Sequence, residues 1–182
     1  MSEPSDRDLV QQTRRGETEA FGELVRRYQN SVFNVCYRLT GERRDAEDMT
    51  QEAFLRAFQR LGSYDDVRPF GPWIRRVATN ICLNHLTSLK APKLELDDEM
   101  DLPTEKMSAH PEARQEVREE AQKVRAALLE LPPHYRVVIE LRHFQEYSYQ
   151  EIGEQLGIPL SDVKSHLFRA RTSLANKLKN DE

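Results

Sequence analysis

The residues from Tyr147 to Leu174, YSYQEIGEQLGIPLSDVKSHLFRARTSL, leave this chain little choice of local structure. Ser148 stands three residues before Glu151, the spacing at which a hydroxyl and a carboxylate cap the free amides of a helix start. Ile152 and Leu156 share a face, and Gly157 supplies the left-handed residue that ends the helix. Pro159 blocks continuation, and Ser161 is expected to cap a second helix. On that helix Val163, Leu167, Ala170 and Leu174 form one apolar stripe. Its other side shows Lys164, Ser165, Phe168, Arg169 and Arg171, and Leu160 to Lys179 holds five bases against one acid. A hairpin with a solvated charged face would share the stripe. Caps, turn, stripe and charge agree better with a helix-turn-helix whose basic second helix enters the major groove of DNA.

The formal net charge of −4 has the wrong sign for such a role until its distribution is considered. Lys93 to Glu112 carries seven acids and two bases, so the remainder is slightly basic. DNA responds to the local surface rather than to the sum. Only 7 glycines and few β-branched runs argue against a sheet-rich fold. No apolar stretch approaches the ~20 residues of a membrane span. The start, MSEPSDRD, is polar and acidic, unlike a secretory signal, and the expected location is the cytoplasm. Cys36 and Cys82 lie in apolar helical patterns and read as reduced core thiols. Cys82 and His85 could offer two ligands from one helix face, but no second pair is spaced to complete a zinc site, so no metal and no cofactor is expected.

The fold class expected is all-α: two small helical domains joined by an acidic flexible linker, the second containing the helix-turn-helix. The boundaries are 1–90, 91–113 and 114–182. In the first domain Phe21, Leu24, Val25 and Tyr28 share a stripe, as do Val32, Val35, Cys36 and Leu39 before Gly41. Asp45 is expected to cap the next helix, which carries Phe54, Phe58 and Leu61 towards a core and stops at Gly62. Ser63 to Gly71 reads as a loop, and Pro72 as the first position of a helix through Trp73, Ile74, Val77, Ala78 and Ile81. The linker has three prolines and no sustained period. From Arg114, Val117, Ala121, Val124, Leu128 and Leu131 restore helical spacing until Pro132-Pro133. A short helix around Tyr135, Val138, Ile139 and Leu141 then leads into the helix-turn-helix.

Two polar surfaces stand out in the first domain. DAEDMTQE, Asp45 to Glu52, has four acids and no base, with Asp48, Gln51, Glu52 and Leu55 on one side. It reads equally as a solvated helix start favoured by the macrodipole or as a docking face for a basic partner. Further on, Arg76, Asn80, Asn84 and Thr87 share a polar face, with Arg75 nearby and Tyr64, Phe70 and Trp73 interleaved. Arginines that follow phosphates and aromatics that stack bases suit a single strand. Trp73, at the start of an amphipathic helix, reads as core, which leaves Tyr64 on its loop as the stacking candidate.

Three stretches in order, DAEDMTQEAFLRAF, the W-I-x-x-V-A-x-N run from Trp73, and LPPHYRVVIELRHFQEYSYQEIGEQLGIPLSDVKSHLFRAR, resemble the extracytoplasmic-function branch of the bacterial sigma-70 family. The resemblance spans nearly the whole chain. It implies a promoter-recognition subunit that binds core RNA polymerase and promoter DNA. It implies that Asp45, Asp48, Gln51, Glu52 and Phe54 dock on the polymerase. Tyr64, Arg75, Arg76, Asn80, Asn84 and His85 would take the non-template strand of the −10 element, with Tyr64 helping to hold an extruded base. Lys164, Ser165, Phe168 and Arg169 would read the −35 element as duplex. It further implies an anti-sigma partner, no membrane insertion, and a linker threading towards the RNA exit path. One departure is the sparse charge of His85 to Lys90, where many relatives are densely basic. It implies weak, salt-sensitive binding by the first domain alone.

Two other functions compete. A helix-turn-helix repressor or activator would bind operator DNA alone, usually as a dimer, and the two polar surfaces of the first domain argue against it. A carboxylate-dependent phosphodiesterase would need an opposing ligand for Asp45, Asp48 and Glu52, and none is in sight. With no Walker loop and no nucleophile–base pair, no catalytic residue and no enzyme activity are expected.

Overall fold

The computed structural model describes residues 3–88 and 111–180, the side chains of 111–114 excepted. Among them are eight α-helices and no strand. The N-terminal set is α1 (Asp6–Arg14), α2 (Thr18–Thr40), α3 (Arg43–Arg60) and α4 (Phe70–Ser88), with a 3-10 turn at Leu61–Ser63. The C-terminal set is α5 (Pro111–Leu129), α6 (Pro133–Ile139), α7 (Tyr149–Leu156) and α8 (Leu160–Asn180), with a wide π-type turn at Glu140–Phe144. The acidic linker expected over 91–113 lies outside the described residues as far as 110, and its last three residues already belong to α5.

Local chemistry sets several helix ends. Ser5 and Asp8 form a capping box on α1, and Ser148 and Glu151 form one on α7. Gly41 ends α2 at φ 81° and Gly157 ends α7 at φ 67°. A Cβ on Gly41 would also lie 2.6 Å from Leu129 Cδ2, so this glycine permits both the turn and the approach of α5. Three starts differ from the sequence expectation. Glu42 precedes α3 with no side-chain cap, and Asp45 lies inside the first turn. α4 opens at Phe70, which puts Pro72 third in the helix, where an amide has no intrahelical partner to lose. Pro159 precedes α8, its carbonyl taking the amides of Asp162 and Val163, so Ser161 sits within the first turn instead of capping it. The expected stripe on α5 is covered only from Val124 onward, while Val117 and Ala121 stay exposed.

One continuous core runs from Leu9 and Leu24 through Ile74 and Leu86 to Val138, Leu167 and Ala170, so the two helix sets share it. Their junction is polar and buried. Arg38 of α2 grips Glu140 of the wide turn with Nε to Oε2 at 2.7 Å and Nη2 to Oε1 at 2.9 Å. Gln145 donates to the same carboxylate at 3.2 Å and to Thr79 Oγ1 of α4 at 3.1 Å. Arg136 donates to Leu39 O at the end of α2, to Leu128 O at 3.1 Å and to Leu131 O at 3.0 Å. Burial pushes its guanidinium down to about 10, still charged at neutral pH. Arg125 lies over the Tyr37 ring at 4.7 Å.

Removing Arg38 leaves Glu140, 2% exposed, without its bidentate partner. Arg38→Ala is expected to cost about 3 kcal/mol in urea denaturation, the lower end for breaking a buried pair. Adding Glu140→Gln should recover most of that loss in a double-mutant cycle.

Candidate functional site

The chain presents three surfaces, each set by the helix that carries it. On α8, Val163, Leu167 and Ala170 are buried and Leu174 is half-buried, which turns Lys164, Phe168 and Arg169 outward and leaves Ser165 at the edge. The Phe168 ring is 71% exposed, a large apolar area left in water and available to a thymine methyl or a sugar. The α7–α8 turn is tight because Gly153 has no side chain. A Cβ there would stand 2.9 Å from the carbonyl of Ile158, whose amide bonds Gly153 O. Imidazoles from α6 and the wide turn meet α8. Arg171 Nε donates to His143 Nε2 at 3.2 Å, and His166 packs edge-on to His134 at 5.3 Å.

The second surface lies where α3, α4 and the loop after α3 meet. A cavity of about 390 Å³ opens there, and Arg56, Arg60, Arg68 and Arg76 outnumber the single acid Asp65 on its walls. Trp73, Val77 and Asn80 complete it from α4. Arginines around a partly apolar cleft suit a planar base with its phosphate. Tyr64 corrects the sequence expectation. Its side chain is only 7% exposed, its ring lies 4.5 Å from that of Trp73 and meets Phe70 edge-on, and its hydroxyl donates to Arg68 O. Burial pushes its phenol upward. The aromatic left half-open to the cavity is Trp73, which was expected in the core. Asn80 and Asn84 are exposed one turn apart. Arg75 is half-buried and does not line the cavity, and His85 turns to Asp45 at 3.4 Å. The expected face is thus divided, with Arg76 and Asn80 at the cavity and Arg75 and His85 away from it. Arg56 and Arg60 went unnoticed from sequence. The signal was available, since they are spaced four apart just past the acidic stretch Asp45 to Glu52.

The third surface is the flank of α3. Asp48 and Gln51 are exposed, and beside them Leu55 is 53% exposed. Asp45 and Glu52 are half-buried and already paired, Glu52 with Arg56 at 2.6 Å. Phe54 does not belong to the flank. It is 6% exposed and meets Phe21 edge-on, because the packing face of α3 runs through Ala46, Ala53 and Ala57. Cys36 and Cys82 are free and buried. Hydrogen bonding to Cys36 and burial together push the Cys82 thiol well up, which keeps it protonated. Among the described residues, no three His, Cys, Asp or Glu side chains gather as metal ligands, and no helix is long and apolar enough to cross a membrane.

The family model "Sigma-70 region 2" matches residues 24–91, and "Sigma-70, region 4" matches 121–174. The chain is 34% identical over 180 residues to the ECF RNA polymerase sigma factor SigW of Bacillus subtilis, covering 94% of this chain and 95% of that one. It is 32% identical over 181 residues to the ECF RNA polymerase sigma-E factor of Escherichia coli K12, covering 96% and 94%. Among solved structures it is similar to CnrH in complex with the cytosolic domain of CnrY, with a TM-score of 0.64, 26% identity, and coverage of 97% and 99%. The sigma factor RpoE of Bartonella quintana, solved with the anti-sigma factor NepR, shares the fold at a TM-score of 0.62 and 18% identity, covering 89% of this chain and 98% of that one.

Burial holds both His134 and His143 below the ordinary 6.5, with His166 adding to the effect on the first and Arg171 and Arg142 on the second. The unfolded chain therefore takes up protons first. Their contribution to stability is complete above pH 6.5 and declines as pH falls below it. Thermal melts from pH 7.5 to 5 should show that decline, and the double variant His134→Gln/His143→Gln should flatten it.

Proposed function

This chain belongs to the sigma-70 family, within its extracytoplasmic-function group, and from that premise we propose how its three surfaces share the work. The chain is a transcription initiation factor that binds core RNA polymerase and directs it to promoters. One observation carries the division of labour. An arginine-walled cavity suited to a single unpaired base sits on one helix set, and an exposed basic helix suited to duplex DNA sits on the other.

The flank of α3 docks on the polymerase through Asp48, Gln51 and Leu55, with Asp45 and Glu52 adding negative potential at its margins. Phe54 supports that flank from beneath. The cavity takes a base extruded from the non-template strand of the −10 element. Trp73 offers the stacking edge, Asn80 the hydrogen bonds and Arg76 the phosphate contact, with Asn84 following the strand. Tyr64 works through Trp73 and the loop, as part of the wall. Lys164, Ser165, Phe168 and Arg169 read the −35 element in the major groove. In the packed arrangement Gln155 of α7 stands 3.5 Å from Asn80, so a strand along α4 requires the C-terminal helices to move aside. The factor supplies no reacting group of its own, nucleotidyl transfer belongs to the polymerase, and it works in the cytoplasm. The likeness to CnrH, solved with a protein bound, supports control by an anti-sigma factor.

Asp48→Lys should weaken capture of core polymerase in a pull-down while circular dichroism stays unchanged; retained capture would remove α3 as the docking face. Arg169→Ala should cost about 1–3 kcal/mol in binding a −35 duplex, read by fluorescence anisotropy with the C-terminal helices in the intact holoenzyme.

A further inference from the structure

The structure assigns Arg14, with Gln11 and Asp66, as positioning residues for promoter opening, an assignment that rests on the base-capture reading of the α4 cavity. All of α1 lies ahead of residues 24–91, where the region 2 family model matches. Yet its last turn holds the back of the cavity's loop wall. Arg14 Nε donates to Leu61 O at 3.1 Å, and Nη2 donates to the same carbonyl at 2.9 Å and to Tyr64 O. Its Nη1 stands 3.3 Å from Asp66 Oδ2, and Gln11 Nε2 donates to that same oxygen. One planar fork thus fixes the backbone at the two ends of the 3-10 turn and the carboxylate two residues beyond.

The loop needs an outside anchor. Its internal bonds are local: Val67 N to Asp65 Oδ1 at 3.2 Å, Arg68 N to Asp65 O at 3.1 Å, the Tyr64 hydroxyl to Arg68 O, and an exposed Arg68–Asp65 ion pair at 3.6 Å. Ser63, Tyr64, Asp65 and Arg68 form one wall of the cavity, with α4 opposite. α1 can serve as the anchor because it is itself fixed. Leu9 and Val10 are buried, and Asp6 accepts from Arg27 at 3.0 Å and from the Tyr28 hydroxyl. A wall held before DNA arrives spares the ordering entropy that a loose loop would cost on capturing the base.

The test uses holoenzyme assembled from core RNA polymerase and the full chain, on linear promoter duplexes with single abasic sites at successive non-template positions of the −10 element. Open complexes are counted by permanganate footprinting. Wild-type chain should lose opening sharply at the captured position. Arg14→Ala should open the intact promoter about tenfold less, the scale of one lost charge-assisted hydrogen bond. It should lose little more at the abasic site, so the intact-to-abasic ratio collapses towards one. Asp66→Asn, which keeps the Arg14 carbonyl bonds, should give an intermediate ratio. It carries the same test should Arg14→Ala lose polymerase binding. Unchanged core binding and −35 duplex affinity mark an intact fold. Variants that keep the wild-type ratio overturn the positioning role alone. A wild-type chain with no sensitive position overturns base capture, and the positioning role with it.

Discussion

Glu140 cannot be buried alone. A carboxylate taken out of water needs a cation and hydrogen bonds; Arg38 provides the cation from α2, far away in sequence, and Gln145 adds a hydrogen bond from just past the wide turn. That requirement joins α2, the wide turn after α6 and, through Gln145 and Thr79, α4. Arg136 reinforces the junction by placing its charge on the carbonyl ends of α2 and α5, where the helix dipoles favour a cation. Neither helix set is large. Sharing a core across this junction gives each more buried apolar surface than it would have by itself.

The junction also decides which surfaces face outward. The flank of α3 and the basic side of α8 stay open, while Gln155 and Tyr147 approach the polar side of α4. The packed form therefore leaves the α3 flank and the basic side of α8 open to solvent and covers part of the polar side of α4. The Arg38–Glu140 pairing fixes the register of that junction.

Much of this was legible in the residues because it is local. The Ser148–Glu151 box, Gly157 and the Val163–Leu167–Ala170 stripe each depend on neighbours within a turn or two, and each stands where the pattern put it. Helix starts were less legible at Phe70 and Leu160, since a proline is tolerated both just ahead of a helix and within its first turn and does not say which place it takes. Tyr64 is buried and Trp73 half-open, the reverse of the expected exposure, for a different reason. Periodicity tells which face a residue is on, but not whether a loop folds back over its own tyrosine. Periodicity did put Phe54 inward and Leu55 on the acidic flank; it was the resemblance that assigned Phe54 to the docking face.

The amino-acid sequence by itself determined the helices, the helix-turn-helix, the charge of each polar face and, through three motifs in order, the family. These follow from spacing and composition, which a chain carries whether or not it is folded. Only the tertiary structure decided that Arg56 and Arg60 of α3 share a cavity with Arg76 of α4, that Arg14 holds the loop beside it, and that Arg38 finds Glu140 across the chain. Those meetings depend on how helices cross, and crossing is settled by which buried charges must be satisfied and which side chains fit together, terms that couple distant residues and leave no mark on any one segment.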